Sequence, residues 1–301
     1  MTDVIQAEDL VKSYGRRRGL DGLNLDVREG EVYGFLGPNG AGKTTTIRIL
    51  MDLIRPTSGR ARVLGVNPRE GGPTLRRRLG YLAGDFTVDG GQSARELLTH
   101  LAHLRGSVSR QRIELLADRL DLDLQVRIRS LSKGNRQKVG LVQAFMHQPK
   151  LLILDEPTSG LDPMLQQVFL ELVREAKASG QTVFMSSHVL SEVQQTADRV
   201  GIIHLGRMVA VESVEALRRR AVRRVEIHFD EPVRADGFIG LENVLDVATD
   251  GPVLRCRLAG RADALVKAAA AYAIESIVIE EPDLEELFFT YYQTKEAADA
   301  A

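Results

Sequence analysis

Residues 37–44 read GPNGAGKT, which fits the phosphate-binding pattern G-x-x-x-x-G-K-[ST]. Gly37, Gly40 and Gly42 leave the backbone N–H groups of Gly37, Asn39, Gly40, Ala41 and Gly42 unobstructed around phosphate oxygens, with Pro38 in the same loop contributing none. A helix starting at the end of the loop adds its positive dipole end. In such a loop Lys43 reaches the β- and γ-phosphates and the Thr44 hydroxyl ligates Mg²⁺. The second chemical stretch is LLILDE at 151–156. An apolar strand ending in Asp155 presents a carboxylate to the Mg²⁺ shell, and Glu156, one residue on, is placed to polarise an attacking water.

The surroundings of both stretches alternate between apolar strand and helical spacing. VYGFL runs into the glycine loop and then into helix-like TTTIRILMDLI. LLILDE is followed by a helix that Gly180 stops, then by the strand TVFMSSH, helix-like VLSEVQQTAD and the strand RVGIIHL. Such alternation implies an α/β fold with a largely parallel sheet covered on both faces. From about 86 to 147 the strand signal fades. SARELLTHLAHLRG carries a capping box, Ser93 with Glu96, and apolar residues at helical spacing, so this segment reads as a helical subdomain. Five arginines cluster in VEALRRRAVRR at 214–224 as a solvated segment between domains. Beyond it, 222–293 reads as a small α+β domain, with VEIHF, PVLRCRL and ESIVIEE as strands, ADALVKAAAAYA and LEELFFTYY as helices, and 294–301 as a tail.

The 301 residues hold 40 Lys and Arg against 41 Asp and Glu, for a net charge of −1, which gives no global attraction to nucleic acid. The single cysteine, Cys256, cannot form an internal disulfide and suits a reducing cytosol. The N-terminus lacks the pattern of a secretory signal, and no apolar run approaches the roughly 20 residues that cross a bilayer. His100 and His103 fall i, i+3 on a helix with no further ligand in view, so they are read as solvated.

The order of GPNGAGKT, LSKGNRQKV (131–139), LLILDEPTSGLD and SSH resembles that of ATP-binding cassette (ABC) ATPases, over residues 3–215. The resemblance implies a nucleotide-binding domain at 1–215, bound ATP and Mg²⁺, and a head-to-tail homodimer. In that dimer each ATP lies between one chain's P-loop and the other's signature, here Ser132, Lys133, Gly134 and Asn135. It further implies that Thr45 binds the α-phosphate, Tyr14 stacks on adenine, Asp162 crosses toward the partner and His188 contacts the γ-phosphate beside the base, Glu156. Two departures stand out. The signature's commonest form is LSGGQ, whereas Lys133 and Asn135 occupy its third and fifth places. The family's Mg²⁺-sensing glutamine falls at Gly84, leaving Asp85 as its nearest substitute and Gln92 further away.

LSKGNRQKVGLVQAFMHQPKLLILDEPTSGLDP and EPDLEELFFTYY resemble bacterial multidrug and antibiotic exporter ATPases. This implies an ATPase at the cytoplasmic face of the plasma membrane, held there by separate membrane-spanning permease subunits, with no nucleic acid as partner. The alternative is a soluble ABC ATPase acting on nucleic acid or ribosomes. Against it stand one cassette rather than two, and no sustained heptads between Lys43 and Ser132. The C-terminal domain is expected to serve folding and dimerisation.

Overall fold

The computed structural model describes residues 2–280, except 89, 107 and 217–221. The expected helix LEELFFTYY, the tail and most of the arginine cluster lie outside the described residues. The chain divides into two compact units, 1–211 and 212–301.

The first unit is built on a six-stranded sheet ordered β5-β6-β7-β3-β8-β9. Its strands are β3 (Val32–Leu36), β5 (Leu79–Leu82), β6 (Leu151–Asp155), β7 (Thr182–Ser187), β8 (Arg199–His204) and β9 (Arg207–Ser213). The pairs β5/β6, β6/β7, β7/β3 and β3/β8 are parallel. β3, β6 and β7 are buried along their whole length, which is why they read as continuous apolar runs rather than alternating ones. Helices α1 (Lys43–Leu50), α6 (Pro163–Ala178) and α7 (Leu190–Gln194) follow β3, β6 and β7, and α2 (Pro68–Arg77) precedes β5. The helix read over VLSEVQQTAD is therefore one short turn-and-a-half; a Thr and an Asp at its end favour leaving the helix.

A second layer was not legible as such. β1 (Asp3–Tyr14), β2 (Arg17–Arg28) and β4 (Ser58–Val63) form an antiparallel sheet in the order β2-β1-β4. Its register is broken by several irregularities, so the period-two pattern shifts face along the strands and the sequence signal cancels. One core fills the space between the sheets: Leu10, Leu23 and Val27 from the antiparallel layer, Ile47 and Leu50 from α1, and Phe35 and Phe184 from the parallel one.

The helical segment consists of α3 (Ala94–Arg105), α4 (Arg110–Arg119) and α5 (Lys133–Phe145). The Ser93–Glu96 capping box is formed in both directions, with Glu96 N donating to Ser93 Oγ at 3.2 Å and Ser93 N to Glu96 Oε2 at 2.7 Å. Arg105, at the end of α3, donates to the Arg76 carbonyl at 2.6 Å and also to that of Leu79. Beside it His147 Nε2 lies 3.1 Å from the Leu79 carbonyl. Burial, aided by the Arg105 charge, pushes the His147 pKa down to about 4. The folded chain therefore refuses a proton that the unfolded chain accepts near 6.5. Stability contributed by neutral His147 is full above that value and is lost as pH falls from about 6.5 toward 4. Denaturant melts at pH 7 and pH 5 are expected to separate less for His147→Gln than for the wild type; equal separation would remove His147 from this role.

The second unit is a four-stranded antiparallel sheet ordered β11-β12-β10-β13, from β10 (Val222–Phe229), β11 (Val244–Asp250), β12 (Val253–Ala259) and β13 (Ile274–Glu280). Val225, Ile227 and Phe229 share one face of β10 and pack with Leu254, Cys256 and Leu258 of β12. Helix α8 (Asp263–Ala269) contributes Leu265 to this core, and the Phe238 ring is buried in it. Cys256 is thus a core residue, its thiol pKa raised by burial.

Candidate nucleotide site

Parallel strands end on the same edge of a sheet, so β5, β6, β7 and β3 deliver Gly84, Glu156, His188 and the glycine loop to one side of the first unit. Leu36 closes a fully buried strand, and the chain then turns tightly over β8. A Cβ on Gly37 would lie 2.4 Å from the Ile203 carbonyl, so only glycine passes there. Gly42 sits at φ 116° as the N-cap of α1 and caps it with no side chain, leaving the first amides of the helix directed at the loop. Next to this loop is an open cavity of 390 Å³ that runs from Tyr14 to Lys43, Thr44 and Glu156. Arg17 and Arg48 also line it, and neither was anticipated from the sequence.

Lys43 is 5% exposed. Its Nζ donates to the Gly37 carbonyl at 2.6 Å and the Pro38 carbonyl at 3.4 Å, and lies 3.1 Å from Glu156 Oε1. The other oxygen of Glu156 is 2.7 Å from His188 Nδ1. Lysine, carboxylate and imidazole thus form one chain of charge-assisted contacts. Glu156 itself sits at φ 49°, a conformation that costs a non-glycine residue about 1–2 kcal/mol. Its backbone is held from both sides: Glu156 N donates to Ser186 Oγ at 3.0 Å, and its carbonyl accepts from Gln137 Nε2 at 3.2 Å.

Asp155 is 1% exposed. Ser186 Oγ donates to its Oδ1 at 2.6 Å, while Oδ2 is buried with no hydrogen-bond partner among the described residues. A Cβ on Gly84 would lie 3.2 Å from that free oxygen. Among the described residues no group of three or more His, Cys, Asp and Glu side chains could hold a metal alone. One buried carboxylate oxygen without a partner, with the Thr44 hydroxyl on the neighbouring cavity wall, fits Mg²⁺, which takes one or two protein oxygens and completes its shell with phosphates and water.

Of the remaining expected residues, Tyr14 and Thr45 line the cavity and the others do not. Tyr14 lines it and is 47% exposed, its ring packed toward Gly19 with Lys12 Nζ 5.1 Å from its centroid. Thr45 is on the cavity wall. Ser132 is the N-cap of α5, its hydroxyl accepting from Asn135 N at 3.2 Å, and none of Ser132, Lys133, Gly134 or Asn135 lines the cavity. The signature instead packs on the loop after β6: a Cβ on Gly134 would lie 2.6 Å from the Gly160 carbonyl. Asp162 caps α6, accepting from Leu165 N at 3.0 Å. Asp85 is exposed and makes no hydrogen bond among the described residues, so Gly84 rather than Asp85 is what stands beside Asp155. Gln92 lies against Gly90, and its backbone carbonyl accepts from Ile128 N at 3.0 Å.

Sequence reasoning passed over Gln137 and Ser186. Gln137 follows the signature by one turn and donates to the carbonyls of both Glu156 and Pro157. Ser186 lies in β7, two residues before His188, and its in-register neighbour on β6 is Asp155.

The family described as ABC transporter matches residues 20–159. The bacitracin transport ATP-binding protein BcrA of Bacillus licheniformis is 37% identical over 238 residues, covering 78% of this chain and 78% of its own. The daunorubicin resistance ATP-binding protein DrrA3 of Streptomyces coeruleorubidus is 34% identical over 297 residues, covering 94% of each. A solved ATP-binding subunit of an ABC transporter superposes with a TM-score of 0.66 at 32% identity, over 72% of this chain and 92% of that one. With the phosphate loop, the paired acidic residues and this coverage, the chain belongs to the ATP-binding cassette family, as an ATP-hydrolysing subunit of the bacterial transporter type.

Proposed function

We propose that the chain powers an exporter of antibiotics or other drugs, as a head-to-tail homodimer seated on separate membrane-spanning permease subunits at the cytoplasmic face of the plasma membrane. The observation that carries this reading is the 94% two-way coverage by a daunorubicin resistance subunit, which extends through the second unit as well as the cassette. Among the described residues no helix is long and apolar enough to cross a membrane, so the pore is assigned to other polypeptides. The second unit is assigned to dimer contacts and folding.

The loop Gly37–Gly42 and the α1 amides receive the β- and γ-phosphates, and Thr45 the α-phosphate. Tyr14 stacks on the adenine ring. Thr44 and Asp155 hold Mg²⁺, which when bound neutralises phosphate charge. Lys43 exchanges its contacts with the Gly37 carbonyl and Glu156 for phosphate oxygens. That releases one oxygen of Glu156 to accept the proton of the attacking water, while His188 keeps hold of the other. Ser132 and the Gly134 amide complete the site of the partner subunit, and Asp162 lies in the loop that meets it. Asp85 is kept out of the metal shell, since it makes no contact toward Asp155.

Purification of the tagged chain in mild detergent from its host, with mass spectrometry of what stays bound, tests this. A stoichiometric multi-spanning membrane protein is expected. Recovery with ribosomes or nucleic acid instead would keep the ATPase and overturn the transporter role.

A further inference from the structure

We propose that Ser186 is a positioning residue for the metal: its hydroxyl fixes the Asp155 carboxylate so that one oxygen, Oδ2, is presented free to Mg²⁺. The inference rests on the assignment of Asp155 to the Mg²⁺ shell.

Asp155 and Ser186 are in-register partners on the parallel strands β6 and β7, so their side chains leave the sheet on the same face. Ser186 is fully buried. A serine hydroxyl has one proton to give and lone pairs to receive with. Here Glu156 N–H donates to the hydroxyl oxygen at 3.0 Å, and the hydroxyl gives its one proton to Asp155 Oδ1 at 2.6 Å, since a carboxylate oxygen only accepts. The loop is closed: the backbone of Glu156 orients the hydroxyl, and the hydroxyl orients the carboxylate of the preceding residue.

The consequence is an asymmetric carboxylate. Oδ1 is used, while Oδ2 is buried and has no partner, an arrangement that is costly unless a cation is to be received there. Glycine at 84 leaves the approach to Oδ2 clear, since a Cβ would stand 3.2 Å from it. Without the Ser186 hydroxyl the carboxylate can rotate about its terminal torsion, which is broad and roughly two-fold, and Glu156 N–H loses its acceptor. Partners that orient a metal ligand in this way typically govern affinity for the metal itself.

Mn²⁺ titration of the full chain with a non-hydrolysable ATP analogue, followed by electron paramagnetic resonance, reads this without turnover. Ser186→Ala is expected to weaken Mn²⁺ binding about tenfold, and Ser186→Thr to bind within about twofold of wild type. Affinity for the analogue in EDTA is expected to be unchanged in both. Asp155→Asn serves as the reference and loses more. If folded Ser186→Ala binds Mn²⁺ like wild type while Asp155→Asn does not, the inference is overturned. The same follows if Thr and Ala weaken binding equally, since packing rather than the hydroxyl would then be responsible. Should Asp155→Asn also bind like wild type, the assignment of Asp155 to the metal fails, and this inference with it. Where the alanine variant does not fold, Ser186→Cys, close in size but a weak donor, carries the same expected weakening.

Discussion

Glu156→Gln is expected to lower kcat by about 10²–10³-fold while ATP binding stays at least as tight as in the wild type. The first half follows from proton transfer: an amide cannot accept the proton of the attacking water, whereas the carboxylate stands between Lys43 and His188 with one oxygen toward each. The second half follows from what Glu156 touches before nucleotide arrives. Its Oε1 lies 3.1 Å from Lys43 Nζ, on a lysine that is almost fully buried. ATP must take that ammonium from Glu156, so the carboxylate competes with phosphate for the same cation. A neutral amide competes less. The dissociation constant for ATP should therefore fall or hold, and the closed dimer, unable to hydrolyse, should accumulate. Phosphate release, titration with a fluorescent ATP analogue and size-exclusion chromatography in MgATP read the three quantities. Turnover near wild type would remove Glu156 as base; binding weakened several-fold would show that its contact with Lys43 supports the phosphate cradle rather than opposing it.

The parts of this site that were legible in the sequence are those whose chemistry depends on spacing within one short segment. The glycine loop and the Asp155–Glu156 pair announce themselves because strand, turn and helix are contiguous there, and the parallel sheet follows from continuous apolar runs at β3, β6 and β7. The antiparallel layer was not legible because bulges between Ala7 and Leu10, and again beyond, move the buried side chains between faces. The contacts that hold Asp155 and Glu156 were hidden for another reason. Ser186 reaches Asp155 across neighbouring strands 31 residues apart in the chain, and Gln137 reaches the Glu156 carbonyl from a helix 19 residues upstream. A serine in an apolar strand or a glutamine in a basic helix carries no pattern that names its acceptor. Asp85 shows the converse: proximity in sequence to the vacant glutamine position suggested a substitute, yet one residue along an extended loop turns a side chain away, and it is the bare Gly84 that faces Asp155.

A mixture of two inactive chains should recover activity if the sites are composite. Lys43→Ala disables the phosphate cradle and leaves the signature intact. Gly134→Asp disables the signature, because any side chain there runs into the Gly160 carbonyl, at 2.6 Å for the Cβ alone, and adds negative charge where phosphate is to be received; its own cradle is untouched. Each homodimer then contains two defective sites. In the heterodimer one site combines both defects, and the other combines a sound cradle with a sound signature. Random exchange of equal amounts gives half heterodimers with one good site of two, so phosphate release should reach up to about a quarter of the wild-type rate from two preparations that are each nearly inert. A signature acting on its own chain's nucleotide would give no recovery at any ratio. The distinction does not depend on how fast hydrolysis is, only on which chain supplies Gly134. The structure motivates it directly, since Ser132 caps α5 away from the cavity that Lys43 and Glu156 line, and within one chain the two halves of the chemistry do not meet.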